Sequence, residues 1–492
     1  MDVTDSAAPA AGADLLQLDR SSAPPRGTGE WLTGQLRAAV HDGRLAAGTL
    51  LPATRVLAAD LGVSRGVVVG AYARLADEGL LTGRAGGGTR VAAGVVVRGR
   101  VRGAARPAEP SRPPGGPPGP AGDASVLDLW PGVPDLSAFP RAAWLRAERE
   151  VLAAATARDL GYPDPRGHPA LRQQLVGWLT RTRGVRADPD AVLVVSGVAQ
   201  ALALTAQVLV ARGHSSVAVE DPGSRGARDE LAHWGLAGVG VPVDADGLDV
   251  DALEALGEDG PRVAVLTPAH QYPTGVVLSP ERRRALLAWA QAAAPSGGRL
   301  VVEDDYDAEH RYDRPPVPAL QASAPDVVLH TGSTSKSLAP ALRLGWLLAP
   351  EHLRADLLAA KHASDIASPA LPQLVLSRLV AAGELDRHLR RVRVRQRARR
   401  DALLAGLREH LPGARVHGVA AGLHLLVTLE GTPWAGRSDA EAAQACGEAG
   451  VRVQPLGMHR LRPGVPGLVL GYAAEPPGAL GDAARRLGSV LR

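Results

Sequence analysis

One lysine marks the segment of this chain most suited to covalent chemistry. Lys336 lies in HTGSTSKSLAPALRLGW, and only it and Lys361 are lysines among 55 lysine and arginine residues. A guanidinium stays protonated at physiological pH, whereas a desolvated amine can lose its proton and attack a carbonyl. Because this chain uses arginine almost everywhere else, we predict that Lys336 forms a Schiff base with an aldehyde.

Neighbouring groups indicate that this aldehyde carries a phosphate. Ser333, Ser335 and Arg343 offer hydroxyl and bidentate contacts to a phosphate, although the two serines could instead cap a turn. The motif SGVAQAL ends a predicted strand and begins a predicted helix. The amides of Val198 and Ala199 would then face an anion, with help from the helix dipole.

The motif EDDYD supplies groups for the other end of such a ligand. Side chains alternate along a strand, so Asp304 and Tyr306 share one face and Asp305 points the other way. A carboxylate keeps a pyridine nitrogen protonated, which makes the ring an electron sink, and a phenol can bond the 3′-oxygen. These residues together predict pyridoxal 5′-phosphate, held as an aldimine of Lys336, and a structural role for Asp305.

The surrounding sequence predicts the elements that position these residues. Short apolar runs, each ending in polar or glycine residues, alternate with helical patterns such as PALRQQLVGWLTRTRG and PERRRALLAWAQAAA. The apolar runs are AVLVVSG, SSVAVED, PRVAVLTP, GRLVVEDDYD and DVVLHTGS. This alternation is typical of an α/β fold, with a mostly parallel sheet between helices. Ligands of such sheets bind at the carboxyl ends of the strands, where the polar residues fall.

The N-terminal part has a different pattern. WLTGQLRAAVHDGRL, at 31–45, has an apolar stripe typical of a helix. Two further helices are joined by LGVS, where Gly62 breaks the first and Ser64 is a plausible N-cap of the second. TGRAGGGTRVAAG then predicts a hairpin. The order predicts a winged helix-turn-helix domain.

Composition separates these two parts. Residues 104–120 are rich in proline and glycine and cannot form a core, so we predict a linker at 96–125. We predict a disordered segment at 1–24, the DNA-binding domain at 25–95 and the cofactor-binding domain at 126–492.

Charge and cysteine content exclude several classes of protein. The net charge of +4 is too small for a polybasic protein. One cysteine, Cys446, excludes an internal disulfide framework and is predicted to be a small buried side chain. The sequence shows no membrane span and no secretory signal, so a cytoplasmic protein is expected.

Several motifs carry a family resemblance. GYPDPRGHPALR, EDPGSRGAR, TPAHQYPTG, EDDYDAEHRY and GSTSKSLAPALRLGW resemble the fold-type I aminotransferases of class I/II. LLPATRVLAADLGVSRGVVVGAYARLADEGLL resembles the GntR winged-helix family. Their fusion through a proline-rich linker resembles the MocR-like transcription regulators. The resemblance implies an aminotransferase-like domain with a smaller α+β subdomain.

The resemblance also implies roles for single residues. Lys336 would form the internal aldimine, Asp304 would pair with the ring nitrogen, and Tyr306 would bond the 3′-oxygen. Tyr162 would reach the phosphate of the neighbouring subunit in a homodimer, or else be a core tyrosine. His270 would contact the cofactor ring, or else support a residue that does. No metal site is predicted.

In the winged helix, Arg55, Ser64 and Arg65 match positions that contact DNA in the GntR family. Arg84 and Arg90 flank the glycines of the wing. We predict that these five residues meet phosphates or base edges as the third helix enters the major groove. For Arg90 a solvated basic side chain is a serious alternative.

The sequence departs from the aminotransferase pattern in two places. Ser224 replaces the aromatic residue that commonly stacks on the cofactor ring, so stacking would come from elsewhere, such as His270. Val469 occupies the place of the late arginine that grips a substrate carboxylate. Either Arg460 or Arg462 substitutes for it, or the ligand is not an ordinary α-amino acid. Both departures weaken the case for efficient transamination.

We therefore predict a homodimeric, DNA-binding transcription regulator that senses pyridoxal phosphate or an amine, and associates with the nucleoid when bound to DNA. One rival hypothesis is a working transaminase with a regulatory DNA-binding module. A second is a DNA-binding protein with a vestigial cofactor pocket. The arginine-rich run DRHLRRVRVRQRARRDALL, at 386–404, is predicted to be a long helix with Leu389, Val392, Val394, Leu403 and Leu404 on a buried edge and with its arginines solvated or at the subunit interface. The alternative for this run is a patch that binds nucleic acid.

Overall fold

The computed structural model describes most of the chain. The described residues are 27–42, 44–84, 88–92, 126–292 and 298–492, with Leu18, Ala23 and Pro24. The chain divides into two compact units, Met1–Arg112 and Pro113–Arg492. The predicted linker at 96–125, and all but three residues of the predicted disordered segment at 1–24, lie outside the described residues.

The first unit has the predicted order of a winged helix-turn-helix. Its elements are α1 (Thr28–His41), α2 (Thr54–Asp60), α3 (Arg65–Asp77), β1 (Leu81–Arg84) and β2 (Gly88–Val91). The two strands pair antiparallel, with Leu81 opposite Val91. Leu32, Leu36, Val68 and Leu75 are fully buried, so apolar stripes on α1 and α3 meet in one core.

Two local predictions for this unit need correction. The first helix ends at His41, with Asp42 as its C-cap, rather than extending to 45. Ser64 occupies the N-cap position of α3, but its side chain makes no capping hydrogen bond. Gly62 follows the end of α2 as predicted, and it has a positive φ of 60° that a glycine adopts without strain.

The second unit is built on an eight-stranded sheet. Its strands are β4 (Val192–Val195), β5 (Ser216–Asp221), β6 (Ala237–Asp244), β7 (Gly247–Leu248), β8 (Val263–Leu266), β9 (Leu300–Asp305), β10 (Val328–Ser333) and β11 (Gly345–Leu348). Their spatial order is β4-β11-β10-β9-β8-β5-β6-β7. The central pairs from β10 to β6 are parallel, as predicted. β11 runs antiparallel between β10 and β4, a strand that the apolar runs did not predict.

Helices cover both faces of this sheet. They include α4 (Arg141–Ala154), α5 (Pro169–Arg183), α6 (Val198–Ala211), α7 (Arg225–His233), α8 (Val250–Glu254), α9 (Pro280–Gln291), α10 (Glu351–Asp365) and α11 (Ala370–Ala381). Alternate strand residues face opposite layers: Val265 and Val302 pack in one core and Leu266 and Val301 in the other. Burial on both faces explains why these strands are continuous apolar runs.

A smaller subdomain follows the sheet. It comprises α12 (Glu384–His410), β12 (Arg415–His417), β13 (His424–Thr428), α13 (Asp439–Glu448), β14 (Val451–Arg452), β15 (Gln454–Pro455), β16 (Gly467–Gly471) and α14 (Pro477–Leu491), and β3 (Leu127–Asp128) pairs with β14. The four strands β12-β13-β16-β15 form an antiparallel sheet. Cys446 is a buried core residue, as predicted. The predicted long helix is α12, and Leu389, Val392 and Leu403 are buried on its edge as predicted, while Leu404 is partly buried. Val394 is 72 % exposed, so its predicted burial was wrong.

A search of the described residues found no helix with the length and apolar content that crossing a bilayer requires.

Candidate cofactor and ligand site

A cavity of about 340 Å³ lies in the second unit at the carboxyl ends of β9 and β10. It gathers eight of the ten residues predicted to bind the cofactor: Val198, Ala199, Asp304, Tyr306, Ser333, Ser335, Lys336 and Arg343. These residues come from three segments that are far apart in sequence, at 198–199, 304–306 and 333–343. The strand ends therefore converge on one site, as expected for an open α/β sheet.

Lys336 follows the last residue of β10 by three positions and lines the cavity. Its Nζ donates a hydrogen bond to the backbone oxygen of Gly132. A Cβ on Gly132 would lie 3.2 Å from that amine, so a glycine there permits the close approach. Burial lowers the pKa of Lys336, against the opposing charges of Asp307 and Asp304. The amine is thus easier to deprotonate, as a nucleophile requires.

Asp304, near the end of β9, presents a carboxylate oxygen that has no partner in the part of the chain that the structure describes. Its Oδ1 is buried and accepts no hydrogen bond from the described residues. Burial, together with the charges of Asp305 and Asp307, raises the pKa of Asp304 to about 7, against the opposing charge of Lys336. A buried acceptor of this kind is costly unless a ligand supplies a donor.

Tyr306 shares the cavity wall with Asp304, and a pair of residues supports it from behind. His270 Nδ1 lies 3.1 Å from the Tyr306 hydroxyl oxygen and 2.9 Å from Asp307 Oδ2. Burial alone would raise the pKa of Asp307, but the adjacent His270 ring lowers it and the net shift is downward. His270 is buried and does not line the cavity. These contacts favour the alternative of a supporting histidine, and a contact of His270 with the cofactor ring stays a prediction.

Among the described residues, one group has the composition of a metal site. Ligand atoms of His270, Asp307 and His424 all lie within 4.8 Å of one another. Around Zn²⁺, with bonds of about 2.0 Å, tetrahedral ligand atoms lie only about 3.3 Å apart. His270 is already bonded to Asp307, and His424 Nε2 lies 3.2 Å from the backbone oxygen of Pro273. The three side chains are therefore held by hydrogen bonds to protein groups, His270 and Asp307 to each other and His424 to the Pro273 oxygen.

The other end of the cavity is suited to an anion. Gly197 is the N-cap of α6, so the amides of Val198 and Ala199 are free of intrahelical acceptors. A Cβ on Gly197 would lie 3.3 Å from Arg343 Nη1, so this glycine admits the guanidinium beside the helix start. Ser333 Oγ accepts a 3.3 Å bond from the Ser335 amide, so this serine caps a turn and also lines the cavity.

Sequence analysis missed much of the remaining wall. These residues are Trp130, Arg225, Thr267, Tyr272, Leu423, His424, Gln454 and His459. Most belong to loops or to the smaller subdomain and carry no local pattern. Tyr272, for example, donates a 2.9 Å bond to Gln454 Oε1, a contact 182 residues apart in sequence. The sequence did contain a signal for Arg225. In EDPGSRGAR it follows Ser224, the residue that replaces the usual stacking aromatic side chain.

The two departures from the aminotransferase pattern are real structural differences. Ser224 lines the cavity, but its Oγ accepts a bond from the Ala227 amide and caps α7. Val469 is fully buried in β16 and does not line the cavity. Neither Arg460 nor Arg462 lines it, and Arg462 Nη2 bonds the Gly240 oxygen instead, so the prediction that they replace the late arginine was wrong.

Tyr162 lies outside its own chain's cavity. It is 91 % exposed, so the alternative of a core tyrosine is wrong. A contact with a neighbouring subunit stays a prediction.

The predicted DNA-contacting residues are spread over the surface of the first unit. Arg55, Ser64 and Arg65 are exposed at the starts of α2 and α3, and Arg65 Nε lies 3.4 Å from Thr54 Oγ1. Arg90 is exposed on β2, and its Nη1 donates a 3.1 Å hydrogen bond to the Gly48 oxygen. Its contact with DNA stays a prediction. Arg84 ends β1, and its side chain lies outside the described residues.

Comparison with known proteins assigns both units. Residues 29–91 match the family of bacterial regulatory proteins of the gntR family, and residues 125–468 match aminotransferase class I and II. The chain is 32 % identical to the probable rhizopine catabolism regulatory protein MocR of Rhizobium meliloti, over 97 % of this chain and 96 % of that protein. The chain belongs to the MocR-like family of GntR-type regulators.

A second MocR-like relative is the pyridoxine biosynthesis transcriptional regulator PdxR of Corynebacterium glutamicum. It is 33 % identical, over 80 % of this chain and 82 % of PdxR. This MocR-like chain also resembles solved aminotransferases. The α-aminoadipate aminotransferase LysN of Thermus thermophilus superposes with a TM-score of 0.67 at 29 % identity, covering 75 % of this chain and 92 % of LysN. The kynurenine aminotransferase of Pyrococcus horikoshii gives 0.68 at 26 % identity, covering 75 % and 91 %.

Proposed function

We propose that this MocR-like chain is a DNA-binding transcription regulator whose aminotransferase-like domain holds pyridoxal 5′-phosphate on Lys336. The bound cofactor, or an amine that reacts with it, would set the regulatory state of the protein. Membership of the MocR-like family supports the role in regulation, and the geometry of the cavity supports the binding of the cofactor.

The groups of the cavity fit this cofactor one by one. Asp304 Oδ1 lacks a donor, and a protonated pyridine nitrogen would provide one. Arg343 and the first amides of α6 suit a phosphate. The Tyr306 hydroxyl, held by His270, suits the 3′-oxygen. When bound, pyridoxal phosphate supplies an electrophilic carbon with which primary amines combine.

The protein's own residues would then orient and protect that carbon. Asp304 would take the negative form beside the ring nitrogen, since a cationic partner offsets the cost of its burial. Lys336, with its pKa lowered by burial, would be released when another amine takes its place. The exchange would free the Lys336 side chain and tie the effector to the cavity in its place. Because the two states differ in their contacts, the effector would favour a different arrangement of the domain.

The observation that carries this proposal is the convergence of Lys336, Asp304 and Arg343 on one cavity. The test is borohydride reduction of freshly purified protein, followed by peptide mapping and a visible spectrum. We expect a reduced pyridoxyl group on Lys336, and loss of both label and visible absorbance in Lys336→Ala. Lys361, buried and bonded to Asp365, is the matched control, because it is the only other lysine side chain. A label that persists in Lys336→Ala contradicts the assignment.

The rival activity is transamination. The protein would be mixed with amino acids and keto acids, and product would be counted per subunit. We expect at most about one turnover, because the late arginine is replaced by the buried Val469. Sustained turnover would favour an aminotransferase with a regulatory DNA-binding module.

A homodimer on double-stranded DNA in the cytoplasm completes the proposal. Tyr162 supports it, because a tyrosine that is 91 % exposed and outside its own cavity is free to serve a partner. Sedimentation across a range of concentrations would measure the dimer. Tyr162→Ala should weaken cofactor retention without changing the fold; unchanged retention in a proven dimer would remove Tyr162 from the site.

A further inference from the structure

The cavity holds one cation more than the cofactor uses. Lys336, Arg343 and Arg225 are its lysine and arginine residues, and Asp304 is its carboxylate. Under the proposed function, Lys336 meets the aldehyde, Arg343 the phosphate, and Asp304 the ring nitrogen. Arg225 alone has no counterpart.

Arg225 is held at the cavity wall with its charge only partly compensated. It is the first residue of α7, and its Nε lies 3.2 Å from Asp229 Oδ2, one turn further along the helix. That pair is exposed on the Asp229 side, and exposed pairs of this kind interact weakly. The two terminal nitrogens have no partner among the described residues. They remain available for a bidentate contact with an anionic group.

A second, independent group nearby also lacks a partner. His459 lines the same cavity and is 2 % exposed. Its Nδ1 lies 3.2 Å from the Gly223 oxygen, so Nδ1 carries the proton and Nε2 is an acceptor. Nε2 has no partner among the described residues. Burial lowers the pKa of His459 to about 4, and the Gly223 bond only partly opposes this, so the ring is neutral.

We propose that Arg225 holds the anionic group of an amine effector, while His459 Nε2 accepts a hydrogen bond from an N–H or O–H of the same molecule. This inference rests on the proposed function, and it deepens it by naming the ligand class. The effector is a primary amine that also carries a carboxylate or a sulfonate. The anionic group would then be held from the start of α7 and not from β16, where Val469 is buried.

The position of Arg225 explains how such a ligand would affect the domain. The loop before α7 is bonded to the smaller subdomain: the Gly223 amide donates to the His459 oxygen at 2.9 Å, and Arg228 Nη1 donates to it at 2.7 Å. The Leu461 amide also donates to Asp221 Oδ1 at 2.8 Å. An anion on Arg225 therefore binds where the central sheet joins the smaller subdomain. Its binding free energy can bias how these parts pack.

The test uses β-alanine, taurine and n-propylamine on the full-length, cofactor-loaded protein. The change in cofactor absorbance is titrated, and heat of binding is measured by calorimetry as a second readout. We expect β-alanine or taurine to act at a concentration about tenfold or more below that of n-propylamine. Comparison of β-alanine, a carboxylate, with taurine, a sulfonate, shows which anionic group the site prefers.

Substitution of Arg225 gives the decisive comparison. Arg225→Gln should bring the anionic amines to within about twofold of n-propylamine, and Arg225→Lys should restore part of the preference. Arg462→Gln is the matched control, because Arg462 lies outside the cavity and bonds a backbone oxygen. It should keep the full preference.

Failure of this inference and failure of the proposed function give different results. Wild-type protein with no cofactor absorbance would refute the proposed function. Absorbance that responds equally to all three amines, or a preference that survives in Arg225→Gln, would overturn the role of Arg225 and leave the cofactor assignment intact.

Discussion

Asp304 and Asp305 are adjacent on β9 and face opposite sides of the sheet. Asp304 lines the cavity with an unpartnered oxygen, whereas Asp305 Oδ2 accepts a 2.6 Å bond from Arg183 Nε in the protein interior. The period-two geometry of a strand thus separates two carboxylates that are chemically alike. One is available to a ligand, and the other is part of the structure, as EDDYD predicted.

Asp304 should make the stability of the cofactor-free protein depend on pH. Its folded pKa of about 7 lies above the unfolded value near 3.8, so the folded state binds the proton more tightly between these values. Stability from this group is present below about pH 4 and is lost as pH rises to about 7. Asp304→Asn removes the penalty, and because the side chain is only partly buried we expect a gain of about 1–2 kcal/mol at pH 8.

Calorimetric melting of the cofactor-free protein at pH 5 and pH 8 would measure this. The gain from Asp304→Asn should be clearly larger at pH 8 than at pH 5. Equal gains at both pH values would mean that titration of the Asp304 carboxyl does not cause the gain in stability. With cofactor present the same substitution should weaken cofactor affinity, because the ring nitrogen loses its anionic partner.

The buried pair on the other face should matter for folding rather than ligand binding. Arg183 is 1 % exposed, and burial would lower its pKa, but the Asp305 charge raises it above the usual value. Arg183→Met leaves the buried Asp305 carboxylate with only the His330 ring, 3.9 Å away, and we expect a loss of about 3–5 kcal/mol in unfolding free energy.

A second substitution distinguishes pairing from packing. Adding Asp305→Leu to Arg183→Met should recover most of the loss, since the unpaired charge is removed. Arg485→Met is the control, because Arg485 pairs with Asp482 at the surface and should change stability by less than about 0.5 kcal/mol. Denaturant unfolding would measure the stability of all three variants. If the double variant is as unstable as Arg183→Met, the unpaired charge of Asp305 is not the cause of the loss.

Sequence pattern was sufficient where local periodicity fixes direction. Alternation along β9 placed Asp304 and Tyr306 on the cavity side, and SGVAQAL gave the junction from β4 to α6. It failed where position depends on contacts between distant segments. His270 faces Asp307 rather than the cavity, a preference that arises only when the two meet in the fold. Val394 was assigned to the buried edge of α12 from spacing alone, but the helix turns it to solvent.

His270 should act on the site through Tyr306. His270→Phe removes the bond to the Tyr306 hydroxyl and leaves Asp307 without its partner, so we expect a loss of about 2–4 kcal/mol in unfolding free energy. If the tyrosine is positioned by this bond, the pH titration of cofactor absorbance should shift in the same direction in His270→Phe and in Tyr306→Phe. A stability loss without any spectral shift would assign His270 a packing role only.

Arg65 gives the sharpest prediction for the DNA-binding unit. It is the first residue of α3 and is exposed at the N-terminus of this helix, the helix that enters the major groove in this family. Arg65→Ala should weaken binding by about 1–3 kcal/mol on the DNA that the wild-type protein selects from a randomised pool. Arg74→Ala, on the last turn of α3, is the control and should bind like wild type. If Arg65 contacts only a phosphate, the salt dependence should fall by about one charge and all sequences should weaken equally, whereas loss of preference at one base pair would show that it contacts a base edge.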